Sequence, residues 1–478
     1  MDRSNPLIAV SLSPSVLVFL VSILPKIVFG LFFIADIHLV LYDPDSWGYF
    51  HLAENLRKEG VFSQSEFPPY HPDNIRTPVY PLFLASLLTI SGGSLWIIPI
   101  AQGIINSLSS VLILKIGTRL FSQPVGLTAG LFFALDPSAL IRTYCLLTES
   151  LFTFLFLSSI FLLIKSVYQQ QTLIQWICAG ILLGLTTLCR PLALYFFLPA
   201  SILFWMTSRE NRKSRLQKIL IYTLGFSFTL MPWLIRNKLV FGVANLSAIQ
   251  GINLLLVNAA HLKSAEDNID SETATNLLQA EAESLFFTKN SAIYRSSPYL
   301  AGTSPNQAQL AQCYQKLALQ KVFSSPLRYL SIHTRGLLFS LVDTNTRDFY
   351  FFHGLLHRNL GLRDLILTQG LLKVFPIFLS KIDTTYFLLF FFNLVWLLFH
   401  YAGMTKAAYD LFRQKWVLPL VWMLLPIAYL LILGVPAGFE RFRFPAMPFL
   451  YVLSAFGLSR GLSKILERKR IKDEEKET

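Results

Sequence analysis

Charge is scarce in this sequence. Asp, Glu, Lys and Arg make up only 14% of its 478 residues, where a soluble domain carries roughly 25%. Acidic residues are the rarer sign, 28 against 41 basic, for a net charge of +13. In a soluble chain that excess would point to nucleic acid. Here the basic residues gather in short loops between apolar segments, where they set membrane topology, so nucleic acid is not an expected partner. Cysteine is nearly absent. Cys145, Cys178, Cys189 and Cys313 have no metal-ligand spacing, and three lie in or beside apolar segments. They read as buried small side chains, which excludes a disulfide framework. No Walker loop, HExxH, GxSxG or haem motif occurs, leaving nucleotide-driven chemistry without support. Nor is there a tandem repeat, or a clear inverted repeat of the transporter kind.

What is abundant is apolar. The hydrophobic fraction is 53%, with 41 Phe, and the mean hydropathy is +0.51. The composition predicts an all-α polytopic membrane protein. Apolar spans fall near 12–34, 96–114, 124–141, 148–164, 173–188, 191–206, 219–235, 385–400, 416–434 and 445–462. The first is too long for a signal-peptide core and reads as a retained helix. The segment 78–91 is too short to cross and predicts a half-inserted helix. Region 327–383 must contribute no crossing or two, which gives about 10–12 transmembrane helices, twelve being favoured.

Charge assigns direction. The loop 207–218 holds Arg209, Arg212, Lys213, Arg215 and Lys218 against Glu210 alone. Lys115 and Arg119, then Lys406, Arg413 and Lys415, then Lys464, Arg468, Lys469 and Arg470 mark the same side. With these cytoplasmic, the first seven spans alternate without conflict and both termini face the cytoplasm. Two long segments, about 35–77 and 237–325, then lie outside. Residues Ser271 to Phe287 of the second predict a surface helix.

The non-cytoplasmic segments carry the candidate chemistry. In LYDPDSWGYFHLAENLRKEG, Asp45 or Ser46 is placed to cap a helix running from about Trp47 to Lys58. Tyr49, Leu52, Ala53 and Leu56 recur on one face of it. That interfacial placement puts Asp43 and Asp45 just above the membrane, as a base or divalent-metal pair or simply as a solvated cap. Tyr70, His71, Asp73 and Arg76 follow; a solvated loop histidine is the favoured reading of His71. Asp136, Arg142 and Glu149 fall near span ends, where an ionisable group faces a protein cavity or water; helix capping is the alternative account of Glu149. Arg190, Arg236, Arg441 and Arg443 come from three distant segments at comparable depth. Each alone reads as a snorkelling residue. Together they suit a phosphate, whose oxygens match arginine's fork.

Read in order, DPDSWGYFHLAENLRKEGVFS, RTPVYPLFLA, LLTESLF, GLTTLCRPLALYF, PWLIRNKLVFG, GINLLLVN and RFRFPAMPFLYVL resemble the integral-membrane glycosyltransferases of the GT-C superfamily. The nearer likeness is to the bacterial branch of protein O-mannosyltransferases and the lipid A aminoarabinose transferase (glycosyltransferase families 39 and 83). The resemblance runs from about residue 40 to 455. It implies a GT-C domain over 1–462 and a charged cytoplasmic tail over 463–478. It further implies transfer of a sugar from a polyprenyl-phosphate donor to a protein, lipid or envelope-glycan acceptor, with inversion. The site would lie on the periplasmic or extracellular face of a bacterial plasma membrane, among membrane lipids.

By the same resemblance, an Asp-x-x-x-Tyr pattern maps the essential carboxylate to Asp45 with Tyr49, Asp43 being the second choice. Glu149 matches the second acidic position. Arg190, Arg236 and Asn237 match positions near the carrier phosphate, and Arg441 matches the late arginine, with Arg443 and Arg76 beside these. No cofactor is implied outright; a divalent cation on Asp45 or Glu149 stays open. Ser46 stands where protein mannosyltransferases have an acidic residue, so mannosyl transfer to protein is not implied. The rival reading is a secondary transporter or flippase of a lipid-linked or anionic solute, which calls for midplane charges, paired halves and short loops. A non-catalytic assembly protein would have no need of the carboxylate–arginine grouping.

Overall fold

The computed structural model describes residues 12–34, 36–169, 172–208, 210–296, 307–348, 376, 383–434 and 440–459. All its regular structure is helical. Helix α1 (Pro14–Phe33) is followed by a 3-10 turn, Ile37–Leu41, and then by α2 (Pro44–Glu59). Next come α3 (Val79–Ile90), α4 (Ile97–Leu120), α5 (Gln123–Ala134), α6 (Pro137–Tyr144), α7 (Glu149–Tyr168), α8 (Leu173–Cys189), α9 (Phe197–Thr207) and α10 (Arg212–Phe241). Among the described residues, five helices are long and apolar enough to cross a membrane, or six if α5 and α6 form one bent span. Shorter apolar helices lie at Val79–Ile90, Leu173–Cys189, Pro191–Thr207 and Val417–Leu433, and residues 447–459 are also helical. The result is a polytopic all-α membrane protein. The second candidate crossing of 327–383, around 361–379, lies almost wholly outside the described residues, as do Arg209 and the tail 463–478.

Three local readings need correction. The span expected at 124–141 is broken: Asp136 caps α6, accepting from the Ser138 amide at 2.9 Å, and Pro137 occupies the first helical position. A new N-terminus is thereby favoured, and the chain turns by 49°. The basic loop 207–218 is largely helix, because Asn211 caps α10 through the Ser214 amide at 2.8 Å. The cap of α2 is Asp43, which accepts from the Asp45 amide at 2.9 Å, rather than Asp45 or Ser46. Pro44 opens that helix and Gly60, at φ 69°, closes it, a left-handed position that glycine adopts without strain.

Close helix contact holds the bundle together. Gly180 on α8 meets the Tyr222 carbonyl on α10, where any Cβ would collide; small residues let membrane helices approach to backbone contact. Helix polarity is also consistent. Glu149 opens α7, Arg190 follows α8, and Arg236 lies near the end of α10, so all three share one end of the bundle. Arg212, Lys213, Arg215 and Lys218 lie at the other end of α10, whose 30 residues span about 45 Å.

At the Glu149 end, the segment expected as a long loop folds into helices with a core of its own. It comprises α11 (Ile249–Asn253), a π-helical turn Leu254–Ala259, α12 (Ala260–Asp267), α13 (Ser271–Ser296) and α14 (Gln307–Ser324). Leu255, Leu278, Phe286, Tyr314 and Leu317 pack together there. Gly251 allows α11 to press on the Ala311 carbonyl of α14, where a Cβ has no room. The Trp233 indole of α10 donates to the Leu246 carbonyl at 2.8 Å, and the Ala248 amide to that of Asn74 at 2.8 Å. These bonds fasten the helical roof over the end of the bundle. The chain continues as α15 (Pro326–Val342), α16 (Thr384–Arg413), α17 (Val417–Leu433) and a short turn α18 (Glu440–Arg443).

Candidate active site

A cavity of about 490 Å³ opens between roof and bundle, lined by Asp45, Tyr49, Arg76, Arg190 and Arg441 among others. Its charged floor is organised around Arg441. That guanidinium lies 2.9 Å from Asp45, 3.5 Å from Asp43 and 3.2 Å from Glu149. Arg76 adds a 2.6 Å bond to the other Asp45 oxygen, and Arg190 reaches Glu149 at 3.0 Å. Three carboxylates and three arginines thus converge from five separate segments of the chain. Only Asp45 among the acids is open to the cavity: its side chain is 32% exposed, against 1% for Glu149. Asp45 is therefore accessible from the cavity, whereas Glu149 lies behind the arginines it holds.

Electrostatics separate the two aspartates of the α2 start. Burial pushes the Asp43 carboxyl above its ordinary value, against the opposing pull of Arg441. Burial would raise Asp45 as well, but Arg76 and Arg441 outweigh it and hold that carboxyl well below the usual range. Arg76 is itself fixed. It lies over the Tyr49 ring at 4.7 Å, and its amide donates to Asp73 at 2.9 Å. Asp73 also accepts from Gln64 at 2.7 Å.

Behind the floor lies a second buried network. Arg142 donates to Glu440 at 2.7 Å, Asp348 at 2.9 Å and Asn345 at 2.8 Å, while the Glu440 amide donates to Asp343 at 2.8 Å. Arg443 belongs to this side of α18, donating to the Ser340 carbonyl.

The geometry sorts the residues expected from sequence. Asp43, Asp45, Tyr49, Arg76, Glu149, Arg190 and Arg441 lie in or directly behind the cavity floor. Arg443 is buried away from it. Arg236 stacks among Phe62, Trp233 and Phe241 and donates to the Asp73 carbonyl at 2.7 Å; neither it nor Asn237 lines the cavity. Asn237 accepts from Arg236 and donates to the Asn245 carbonyl at 2.8 Å, a structural role. His71 is exposed in its loop. Sequence reasoning missed Glu440, Asp348 and Asn345, and the roof amides Gln250 and Gln315. An acid set between apolar stretches beside Arg441 was the available signal for Glu440; the others carried none.

The acids of the floor are engaged by arginine, save that the buried Glu149 Oε2 has no hydrogen-bond partner among the described residues. Each oxygen of Asp45 is bonded to an arginine, and Glu149 is held by two. Among the described residues no three His, Cys, Asp or Glu side chains group as ligands. The guanidiniums supply the positive charge here.

The fold has solved counterparts. The fold matches the Archaeoglobus fulgidus oligosaccharyltransferase in its apo form with a TM-score of 0.51 and 14% identity, over 96% of this chain and 51% of that one. It matches the same organism's AglB, solved with an inhibitory peptide and a dolichol-phosphate, at 0.50 and 13% identity over the same shares. The chain therefore spans about half the length of those structures. An apo ArnT from Cupriavidus metallidurans aligns at a TM-score of 0.38 and 10% identity, over 91% of this chain and 76% of that one, too remote to carry weight. The sequence model of the dolichyl-phosphate-mannose-protein mannosyltransferases matches residues 71–235. No curated protein matches in sequence. The likeness these comparisons show is one of fold.

Proposed function

We propose that the protein transfers a sugar from a polyprenyl-phosphate donor to an acceptor hydroxyl by single displacement with inversion. The observation that carries this reading is Arg441, bound to Asp43, Asp45 and Glu149 at the floor of a cavity that also presents Arg76 and Arg190. Three guanidiniums beside an apolar wall of Leu192, Leu433 and Phe442 suit a phosphate carrying a lipid tail. That wall also supports a hydrocarbon path for the carrier. The structural neighbour solved with a dolichol-phosphate accords with such a carrier.

In this reading the acceptor oxygen attacks the anomeric carbon, and the bond from that carbon to the phosphate oxygen breaks. Its electron pair leaves on the polyprenyl phosphate, where Arg441, Arg76 and Arg190 stabilise the growing charge. The hydroxyl proton passes to Asp45. In the free protein Asp45 is a poor base, because Arg76 and Arg441 hold its charge. An arriving phosphate competes for those guanidiniums and adds negative charge beside Asp45, raising its basicity. Donor binding thus prepares the base. We place the reaction on the non-cytoplasmic face of a bacterial plasma membrane, because the basic helix ends lie opposite the cavity. One transferase domain over 1–462 accords with the single bundle and its roof. The acceptor is a protein, lipid or envelope glycan, and no step is routed through a metal.

The test is transfer of labelled sugar from a panel of polyprenyl-phosphate donors to membrane extract, with the protein in proteoliposomes. The intact protein is expected to label a new product and Asp45→Asn to lose it by about 10²-fold or more, at equal melting temperature. Equal labelling by both proteins would remove Asp45 from the reaction. No labelling by the intact protein across the panel would remove the activity.

A further inference from the structure

The cavity is sorted by chemistry. Its charged lining residues, Asp45, Arg76, Arg190 and Arg441, all belong to the floor. Among the described residues its roof lining contributes four amides, Gln250, Asn253, Asn258 and Gln315, and no ionisable side chain. Local winding places two of them. In an α-helix, residues five apart stand about 140° apart around the axis; the π turn over Leu254–Ala259 narrows that angle. Asn253 and Asn258 accordingly both face the cavity, and the Asn258 amide donates to the Asn253 carbonyl at 3.0 Å. Tyr329 holds the Asn258 oxygen at 2.9 Å. The side chains of Gln250, Asn253 and Gln315 are exposed to the cavity and make no hydrogen bond among the described residues.

Resting on the transfer reading above, we infer that the sugar on the donor is an uncharged polyhydroxylated one, selected by Gln250, Asn253 and Gln315. Amides donate and accept at once, as hydroxyls do. A cationic amino sugar would enter a cavity with three guanidiniums and one open carboxylate, itself held by two of them. Among the described residues the roof offers it no acid, and offers an anionic sugar no base. Discrimination of this kind is strong, because a site built to hydrogen-bond hydroxyls leaves its own polar groups unpaired with the wrong ligand.

The experiment measures binding to the full chain in nanodiscs with three probes. They are undecaprenyl phosphate alone, the same lipid carrying neutral hexoses (glucose, mannose or galactose), and the same lipid carrying 4-amino-4-deoxyarabinose. At least one neutral glycolipid is expected to bind about tenfold or more tighter than the bare lipid, and the amino sugar no tighter. Replacing all three amides (Gln250→Leu, Asn253→Leu, Gln315→Leu) should leave bare-lipid binding intact, which also reports folding, and abolish the neutral increment. Asn253→Asp with Gln315→Glu should turn the preference toward the amino sugar. A wild-type preference for the amino sugar, or an increment that survives the leucine variant, overturns the inference. Bare lipid that binds without any neutral-sugar advantage overturns it alone. Bare lipid that fails to bind overturns the transferase reading and this inference with it.

Discussion

Arg142 and Glu440 stand 298 residues apart in the chain and form a 2.7 Å ion pair with both side chains almost fully buried. Glu440 is the chain neighbour of Arg441, and the two face opposite ways. Glu440 reaches back into the bundle, while Arg441 reaches forward to Asp43, Asp45 and Glu149. The buried pair is thus the anchor from which the central guanidinium of the floor projects.

Arg142→Ala is expected to lower the melting temperature substantially, because removing one partner strands a buried charge at a cost of about 3–5 kcal/mol. Donor affinity should fall with it, since α18 loses its tether. Arg142→Lys should recover only part of both, as an ammonium lacks the planar fork that serves Glu440, Asp348 and Asn345 together. Thermal melting in detergent alongside lipid-phosphate binding checks this. An Arg142→Ala protein that melts and binds like the parent would sink the anchoring role.

Much of this arrangement was legible in the sequence. Apolar runs located the long helices, and charge located their basic ends. The motif at Asp45 and the arginines at 190, 236, 441 and 443 pointed to one cavity, and of those four Arg190 and Arg441 line it. What escaped had physical reasons. The break at Asp136–Pro137 is a capping decision inside an apolar run, which hydropathy averages away. The partnership of Arg142 with Glu440, Asn345 and Asp348 is made by tertiary packing across some two hundred to three hundred residues, and no local pattern encodes it. Arg236 shared the sequence depth of the others, yet the direction of its side chain was decided by the aromatic pocket of Phe62, Trp233 and Phe241.

The two aspartates should separate in a pH profile. Asp45 has a depressed value, so its pairing is fully present above the unfolded carboxylate range and is lost only as pH falls through the lower folded value. It should not titrate between pH 5 and 8. Asp43 is shifted upward by burial, so it protonates first on acidification and releases its share of Arg441. The acid limb of kcat/KM, which reports free-enzyme groups, is expected above 3.8, the ordinary Asp value. Asp43→Asn keeps the helix cap and should shift that limb to lower pH. An unchanged limb in this variant would assign it to another group.

Chelation provides a third check. The acidic oxygens facing the cavity are already bound by arginine, so EDTA followed by metal-free assay is expected to leave transfer within about twofold of the untreated rate. A fall of about tenfold or more, restored by one divalent cation, would show that a metal displaces the guanidiniums during turnover.

Arg441 and Arg236 offer the sharpest contrast, because the resemblance set Arg236 near the carrier phosphate and Arg441 at the late arginine, while only Arg441 lines the cavity. Arg441→Ala would leave Asp43 without its arginine and reduce the positive charge facing a phosphate. Donor KM is expected to rise and kcat to fall by about 10²-fold, the size typical of a lost oxyanion donor. Arg236→Ala instead removes stacking under three aromatic rings and a bond to the Asp73 carbonyl. It should lower melting temperature while leaving donor KM within about threefold of the parent. Equal losses of donor affinity in both variants would mean that Arg236 turns toward the lipid phosphate when the donor binds. A wild-type KM in Arg441→Ala would take the phosphate away from the guanidinium that holds the three carboxylates together.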